Sequence, residues 1–95
     1  MGLFGFTFVR IKGESMEPML PSGTIALFRA TKSVRRGDVV LVDHPDFGMI
    51  VKSARLIGID DEVALEGLSP ASTSPEKLGS VPANRVRGVL LRKLT

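Results

Sequence analysis

The chain reads Gly13-Glu14-Ser15-Met16-Glu17-Pro18-Met19-Leu20 between its first two runs of strand-forming residues. Pro18 and Pro21 exclude a helix here, because proline lacks a backbone N–H and restricts the residue before it. We therefore predict a turn that holds Ser15 rigidly at the end of a strand. Such a serine could serve as a nucleophile, but a serine hydroxyl in a turn more often satisfies nearby backbone groups.

A second stretch, Gly48-Met49-Ile50-Val51-Lys52, places one lysine in an apolar run. Side chains alternate between the two faces of a strand, so Ile50 and Lys52 share one face and Val51 lies on the other. A lysine that points inward would have a lowered pKa, because burial disfavours the ammonium form, and could then act as a base. The alternative is a lysine whose stem lies along the sheet while its ammonium reaches water.

Hydrolases that use a histidine base are not favoured by this sequence. The single histidine, His44, lies beside Pro45 in a polar stretch, and we predict that it is a solvated turn residue. The nucleophile-elbow pattern requires glycine two residues after the serine, where this chain has Glu17. With no cysteine and one histidine, we expect neither thiol chemistry nor a zinc site, and we predict no metal or organic cofactor.

Composition and length indicate one globular domain, spanning residues 1–95. Hydrophobic residues make up 43% of the chain and charged residues 24%, which excludes a disordered chain. The net charge is +3, but the basic residues are spread along the chain and neither tyrosine nor tryptophan is present to stack on bases. We therefore expect no nucleic-acid partner, and a nucleic-acid-binding β-barrel is the least favoured alternative. The sequence contains no apolar window long enough to cross a membrane and no recognisable signal peptide, so we expect a soluble, cytoplasmic protein.

Alternation over residues 3–12 predicts a strand with Phe4, Phe6 and Phe8 on one face. We expect this phenylalanine face to lie in the core, and the alternative is an exposed patch that makes peripheral contact with a membrane or a partner. Further strands are predicted over residues 24–30, 39–42, 49–57, 63–66 and 86–94, with a loop over residues 67–80. Because no segment keeps a helical period, the fold is expected to be mainly β.

The serine and lysine stretches occur in order with Gly23, Gly37-Asp38-Val39-Val40 and Pro45. Together these motifs resemble those of the signal peptidase I family, whose members are Ser/Lys-dyad endopeptidases related in catalytic core to the self-cleaving SOS-response repressors. The resemblance covers residues 9–88. It implies coiled antiparallel sheets with a small barrel-like core. Without a membrane helix, the chain is most similar to small soluble maturation proteases, such as the one that trims a leader from nickel superoxide dismutase.

The resemblance also implies roles for individual residues. Ser15 matches the nucleophile, Lys52 the general base, and Ser72 the serine that orients the lysine, while the Ser15 N–H would stabilise the oxyanion. Four apolar residues match positions that line the pocket for the small residue before the cut bond, and they are Met16, Leu20, Ile50 and Val51. The implied substrate is an extended peptide or protein segment that lies beside the strands and is cut after a small residue.

The late part of the chain departs from the family pattern. Gly-Asp-Asn is replaced by Gly67-Leu68-Ser69, and Ser-x-Asp-Ser-Arg by Ser72-Thr73-Ser74-Pro75-Glu76. The structural aspartate and arginine of the family are therefore absent. This leaves a second hypothesis open, in which the chain is a catalytically inactive β module that binds a peptide or protein through the same cleft.

Overall fold

The computed structural model describes residues 2–3, 5–31 and 33–94, and this part of the chain is mainly β. Its strands are β1 (Gly2–Leu3), β2 (Phe6–Arg10), β3 (Ile25–Arg29), β4 (Val39–His44), β5 (Gly48–Ile57), β6 (Val63–Glu66), β7 (Ser80–Val81) and β8 (Val86–Lys93). All eight belong to one sheet, in the order β1-β2-β3-β8-β4-β5-β6-β7. Every neighbouring pair is antiparallel. The mainly β prediction is confirmed, with one sheet in place of several.

The region predicted as a loop over residues 67–80 is partly regular. It contains α1 (Pro75–Leu78) and the first residue of β7. Pro75 begins the helix at a position where a backbone N–H has no helical partner, so the missing donor is tolerated. The described ranges contain no helix that is long and apolar enough to cross a membrane.

The apolar side chains form two clusters on opposite faces of the coiled sheet. Cluster 1 contains Ile11, Met16, Leu20, Ala26, Phe28, Val39 and Leu41. Cluster 2 contains Val40, Val42, Ala54, Val63, Leu65, Leu78 and Val81. Since successive residues from Val39 to Val42 enter different clusters, this part of β4 is buried on both faces, which explains why all four residues are apolar.

The phenylalanine face of β2 does not lie in the core, so that prediction is wrong. Phe6 is 36% exposed and Phe8 is 56% exposed. On the opposite face, Ile11 is buried in cluster 1 and Val9 packs against this cluster. Alternation defines two faces of a strand, but the side on which the rest of the chain packs decides which face is buried. Here Met16 and Leu20 lie on the side of Val9 and Ile11. Phe4 lies outside the described residues.

His44 is buried, which corrects its prediction as a solvated turn residue. It is the last residue of β4 and is 4% exposed. Its Nδ1 accepts the Asp46 N–H at 3.0 Å, which leaves Nε2–H to donate to the Leu78 carbonyl at 2.8 Å. Both ring nitrogens are therefore occupied in holding the β4–β5 turn against α1, and His44 has a structural role.

Candidate active site

A cavity of about 530 Å³ lies between β2, the serine turn and β5. Its walls are residues 7–12, Ser15, Met16, Leu41 and residues 49–52. Gly13 opens the serine turn at φ +79°, a left-handed conformation that glycine adopts without strain. The structure thus brings the serine and lysine stretches, which are far apart in sequence, to the same cavity.

Lys52 points inward and is 6% exposed. The ion pairs in the described ranges join Arg85 and Arg87 to Asp43, and none involves Lys52. Desolvation by burial lowers the pKa of the Lys52 ammonium below its ordinary value. No described carboxylate lies within 4.0 Å of the Lys52 ammonium, so no close ion pair opposes this lowering of its pKa.

Ser72 holds the Lys52 amine in position. The Lys52 Nζ donates to the Ser72 Oγ at 3.0 Å, and the Ser72 hydroxyl donates to the Thr73 carbonyl at 3.2 Å. A hydroxyl has one proton to donate, so Ser72 must act as the acceptor toward Lys52. The lone pair of a neutral Lys52 amine consequently remains free for another partner.

The loop that carries Ser72 is fastened to the serine turn. The Ser15 carbonyl accepts the N–H groups of Leu68 at 2.8 Å and Ser69 at 3.0 Å. A Cβ atom at Gly67 would clash with the Ser72 side chain and would lie 3.0 Å from the Ser15 carbonyl oxygen. Glycine is therefore required at this position for the loop to approach both serines.

Sequence reasoning did not assign a role to Gly67 or to the Leu68 and Ser69 N–H groups. The available signal was the glycine at the start of the late motif, because glycine permits the backbone to approach another group closely. The backbone donors carried no signal, because every residue except proline has an N–H and its partner depends on the fold.

Ser15 is half-buried and lines the cavity. In the described ranges its hydroxyl makes no hydrogen bond to Lys52, and its backbone N–H donates to no acceptor. The N–H is thus free to bind an incoming oxygen. The roles of Ser15, Lys52 and Ser72 in catalysis stay predictions.

Three of the four residues predicted to line the substrate pocket line the cavity, and one does not. Met16, Ile50 and Val51 line the cavity. Leu20 does not: it is 1% exposed and packs inside cluster 1, so its prediction as a substrate-lining residue is corrected. Met16 is also 1% exposed and belongs to cluster 1, and it therefore contributes a floor to the cavity and support to the core.

No described strand pairs with the edge of β5 that borders the cavity. β5 pairs with β6 only from Ser53 onward, so residues 48–52 pair with β4 alone within the described ranges. The Ala54 N–H donates to the Asp38 carbonyl at 2.8 Å, on the β4 side. Because the backbone groups of successive residues point to opposite sides of a strand, Met49 and Val51 direct theirs away from β4.

β2 presents a second free edge. Among the described residues, its contact with β1 involves Phe6 and Thr7 only, whereas all of β2 pairs with β3. The Ile11 N–H donates to the Thr24 carbonyl at 2.8 Å, on the β3 side, so Phe8 and Arg10 direct their backbone groups to the opposite side. Two free strand edges therefore border the cavity, and each can pair with an extended peptide.

The described residues contain no group of three or more histidine, cysteine, aspartate or glutamate side chains placed to bind a metal ion.

Comparison with known protein families gives a match. A model of the family described as Peptidase S24-like matches residues 5–88, which include Ser15, Lys52 and Ser72. Searches of curated proteins and of solved structures each found no match. The family match is broader than the resemblance to signal peptidase I, and it does not confirm that particular branch.

Proposed function

Because the chain belongs to the Peptidase S24-like family, we propose that it is a serine endopeptidase in which Ser15 is the nucleophile and Lys52 the general base. The observation that carries this proposal is the buried Lys52 amine, whose pKa is lowered and which lines the same cavity as Ser15. A desolvated amine can take the proton of a serine hydroxyl near neutral pH, which a solvated lysine cannot.

The proposed reaction has two stages. The Ser15 Oγ attacks the peptide carbonyl carbon as its proton passes to Lys52, and the Ser15 N–H stabilises the oxyanion. The resulting Lys52 ammonium donates that proton to the leaving amine, and an acyl-enzyme remains. Lys52 then takes a proton from water, which attacks the ester. The Lys52 ammonium returns that proton to the Ser15 Oγ as the second product leaves, which restores the hydroxyl and the neutral amine. Ser72 keeps the amine directed throughout, because its own proton is committed to the Thr73 carbonyl.

The free edges of β2 and β5 support an extended peptide as the substrate. A segment that enters the cavity can form main-chain hydrogen bonds with Phe8 and Arg10 on one side and with Met49 and Val51 on the other. Ile50, Val51 and Met16 form an apolar lining suited to a small residue before the cut bond. Removal of a leader from a partner protein, as in the small soluble maturation proteases, is the role we favour.

A catalytically inactive peptide-binding module is the second candidate. It is favoured by one observation: the Lys52 amine is hydrogen bonded to Ser72 and not to the Ser15 hydroxyl. The absence of the late aspartate and arginine of the signal peptidase pattern points the same way. The same strand edges would bind a peptide without cutting it.

Cleavage of a library of extended peptides with alanine at successive positions separates these candidates. We expect Ser15→Ala and Lys52→Met to reduce kcat/KM roughly a thousandfold or more, because the two groups act as a unit. Ser74→Ala and Lys77→Met are matched controls, since both residues are exposed and lie outside the cavity. Wild-type rates in Ser15→Ala would exclude the proposed nucleophile, and peptide binding without turnover in the wild type would favour the inactive module.

A further inference from the structure

The charged side chains that line the cavity are all basic among the described residues. Among the described residues that line it, Arg10, Lys12 and Lys52 are basic and none is acidic. Arg10 and Lys12 are exposed, and no described carboxylate lies within 4.0 Å of either side chain's charged group. These two cations are therefore available to a ligand that enters the cavity.

The position of these cations relative to Ser15 is informative. Lys12 and Arg10 precede Ser15 along the wall formed by β2 and the start of the serine turn. β2 ends at Arg10 and the chain turns at Gly13, so a peptide that pairs with β2 and is cut at Ser15 would pass both cations on one side of the cut bond. Directly apposed opposite charges stabilise pairing between strands, and like charges destabilise it.

We propose that this cavity selects peptides with aspartate or glutamate side chains on one side of the cut bond, where they meet Lys12 and Arg10. The inference rests on the proposed function, since it specifies the substrate of the same cleft. Phe8 and Met49, each 56% exposed, also line the cavity and offer apolar contacts to neighbouring substrate residues. The preferred ligand is thus an extended acidic peptide with interspersed apolar residues.

A peptide fits this surface better than a nucleic acid does. The free edges of β2 and β5 present alternating N–H and C=O groups, which match the backbone of an extended peptide. A nucleic-acid strand has no comparable array of donors and acceptors along its backbone. Phosphate recognition would use the cations alone and would leave both strand edges unpaired.

The test measures binding to Ser15→Ala, which prevents turnover. The probes are fluorescein-labelled, alanine-rich peptides that differ only in two central side chains, both glutamate, both glutamine or both lysine. By fluorescence anisotropy we expect the glutamate peptide to bind roughly 3- to 10-fold more tightly than the glutamine peptide at low salt. The difference should shrink between about 50 and about 500 mM salt, because the charges are exposed.

Charge variants assign the effect to the cleft. In the Ser15→Ala background, Arg10→Gln with Lys12→Gln should abolish the preference for glutamate, and Arg10→Glu with Lys12→Glu should reverse it toward lysine. Arg92→Gln with Lys93→Gln makes the same change in net charge at exposed residues outside the cavity, and it should preserve the preference. Circular dichroism of each variant shows that the sheet is intact.

Three outcomes would overturn the inference: equal binding of the three peptides, equal losses in the cleft variant and its control, or tighter binding of a single-stranded oligonucleotide than of the glutamate peptide. The proposed function is tested separately, by comparing peptide cleavage by the wild type with cleavage by Ser15→Ala. Cleavage without charge preference would reject only the acidic substrate. Charge-dependent binding without cleavage would reject only the proteolysis.

Discussion

The Lys52 Nζ lies 3.0 Å from the Ser72 Oγ, a contact between residues that are 20 positions apart in sequence. The amine comes from the buried middle of β5, and the hydroxyl comes from a loop that is also hydrogen bonded to the Ser15 carbonyl. One loop therefore connects the predicted base to the backbone of the predicted nucleophile.

Gly67→Ala should damage both stability and activity. The added Cβ would clash with the Ser72 side chain and press on the Ser15 carbonyl. We expect a loss of about 1–3 kcal/mol in the free energy of unfolding, as for overpacked sites. Urea unfolding and peptide cleavage measure the two effects. Gly58→Ala is the control, because its Cβ would meet nothing closer than 3.8 Å. Equal stability and activity of the two variants would contradict the close approach of the loop.

Ser72→Ala should lower kcat while leaving KM nearly unchanged. The substitution removes the acceptor that directs the Lys52 amine, but it does not touch the strand edges that bind substrate. We expect a decrease of roughly 10- to 100-fold in kcat, part of the factor that a positioned base supplies. Steady-state kinetics separate the two constants. Ser74→Ala, whose hydroxyl makes no capping hydrogen bond, should retain wild-type kinetics. A change confined to KM would assign Ser72 to substrate binding instead.

The activity of the protein should rise with pH as Lys52 loses its proton. Since desolvation lowers the pKa of this amine, the rise should be centred below the ordinary value for lysine. The Lys52 Cε chemical shift, followed by NMR against pH, measures the same ionisation directly. Its midpoint should be lower in the folded protein than in urea, and it should coincide with the rise of kcat/KM. A folded midpoint equal to the unfolded one would exclude Lys52 as a base near neutral pH.

Lys52→Met should stabilise the fold at neutral pH, because it removes the cost of either burying the Lys52 ammonium or deprotonating it on folding. A gain on the order of 1 kcal/mol corresponds to about 4–8 °C in Tm for a domain of this size. Between the lowered folded pKa and the unfolded pKa, the unfolded wild-type chain binds more protons, so its free energy of unfolding increases with pH. The advantage of Lys52→Met should therefore shrink as pH rises through this window. Thermal melts at several pH values test this, with exposed Lys77→Met as the control.

Substitutions on the exposed face of β2 can test the prediction of peripheral membrane contact. Phe6 and Phe8 lie on this face together with the basic Arg10, a combination suited to an anionic membrane surface. Co-sedimentation with phosphatidylserine-containing vesicles should fall at least about tenfold in Phe6→Ser with Phe8→Ser, given the transfer energy of an aromatic side chain. Ile59→Ser, at an 88% exposed residue elsewhere, should have no such effect. Failure of the wild type to sediment with vesicles would reject this contact.

Much of the fold could be predicted because its signals are local. Proline and glycine indicate the turns, and β-branched residues indicate the strands. For β6 (Val63–Glu66), the predicted first and last residues agree with the structure. The inward orientation of Lys52 was one of two interpretations of the same alternation. The choice between them depended on what covered that face of β5, which involves residues from other elements.

The burial of His44 and the exposure of the phenylalanine face could not be predicted in this way. His44 is buried because the Leu78 carbonyl, 34 residues later, accepts its Nε2–H. The face of Phe6 and Phe8 is exposed because cluster 1 forms on the other side of β2. Both outcomes depend on contacts between distant parts of the chain, for which a local pattern carries no signal.

The sequence by itself determined the β architecture, the rigid serine turn and the presence of one lysine within an apolar strand. These follow from backbone restrictions and side-chain periodicity, which act over a few neighbouring residues. Only the tertiary structure decided that Ser15 and Lys52 share a cavity, that Gly67 lets one loop reach both serines, and that two strand edges remain unpaired beside them. The physical reason is that these contacts depend on how the sheet twists and packs around its two apolar clusters, which involves residues far apart in the sequence.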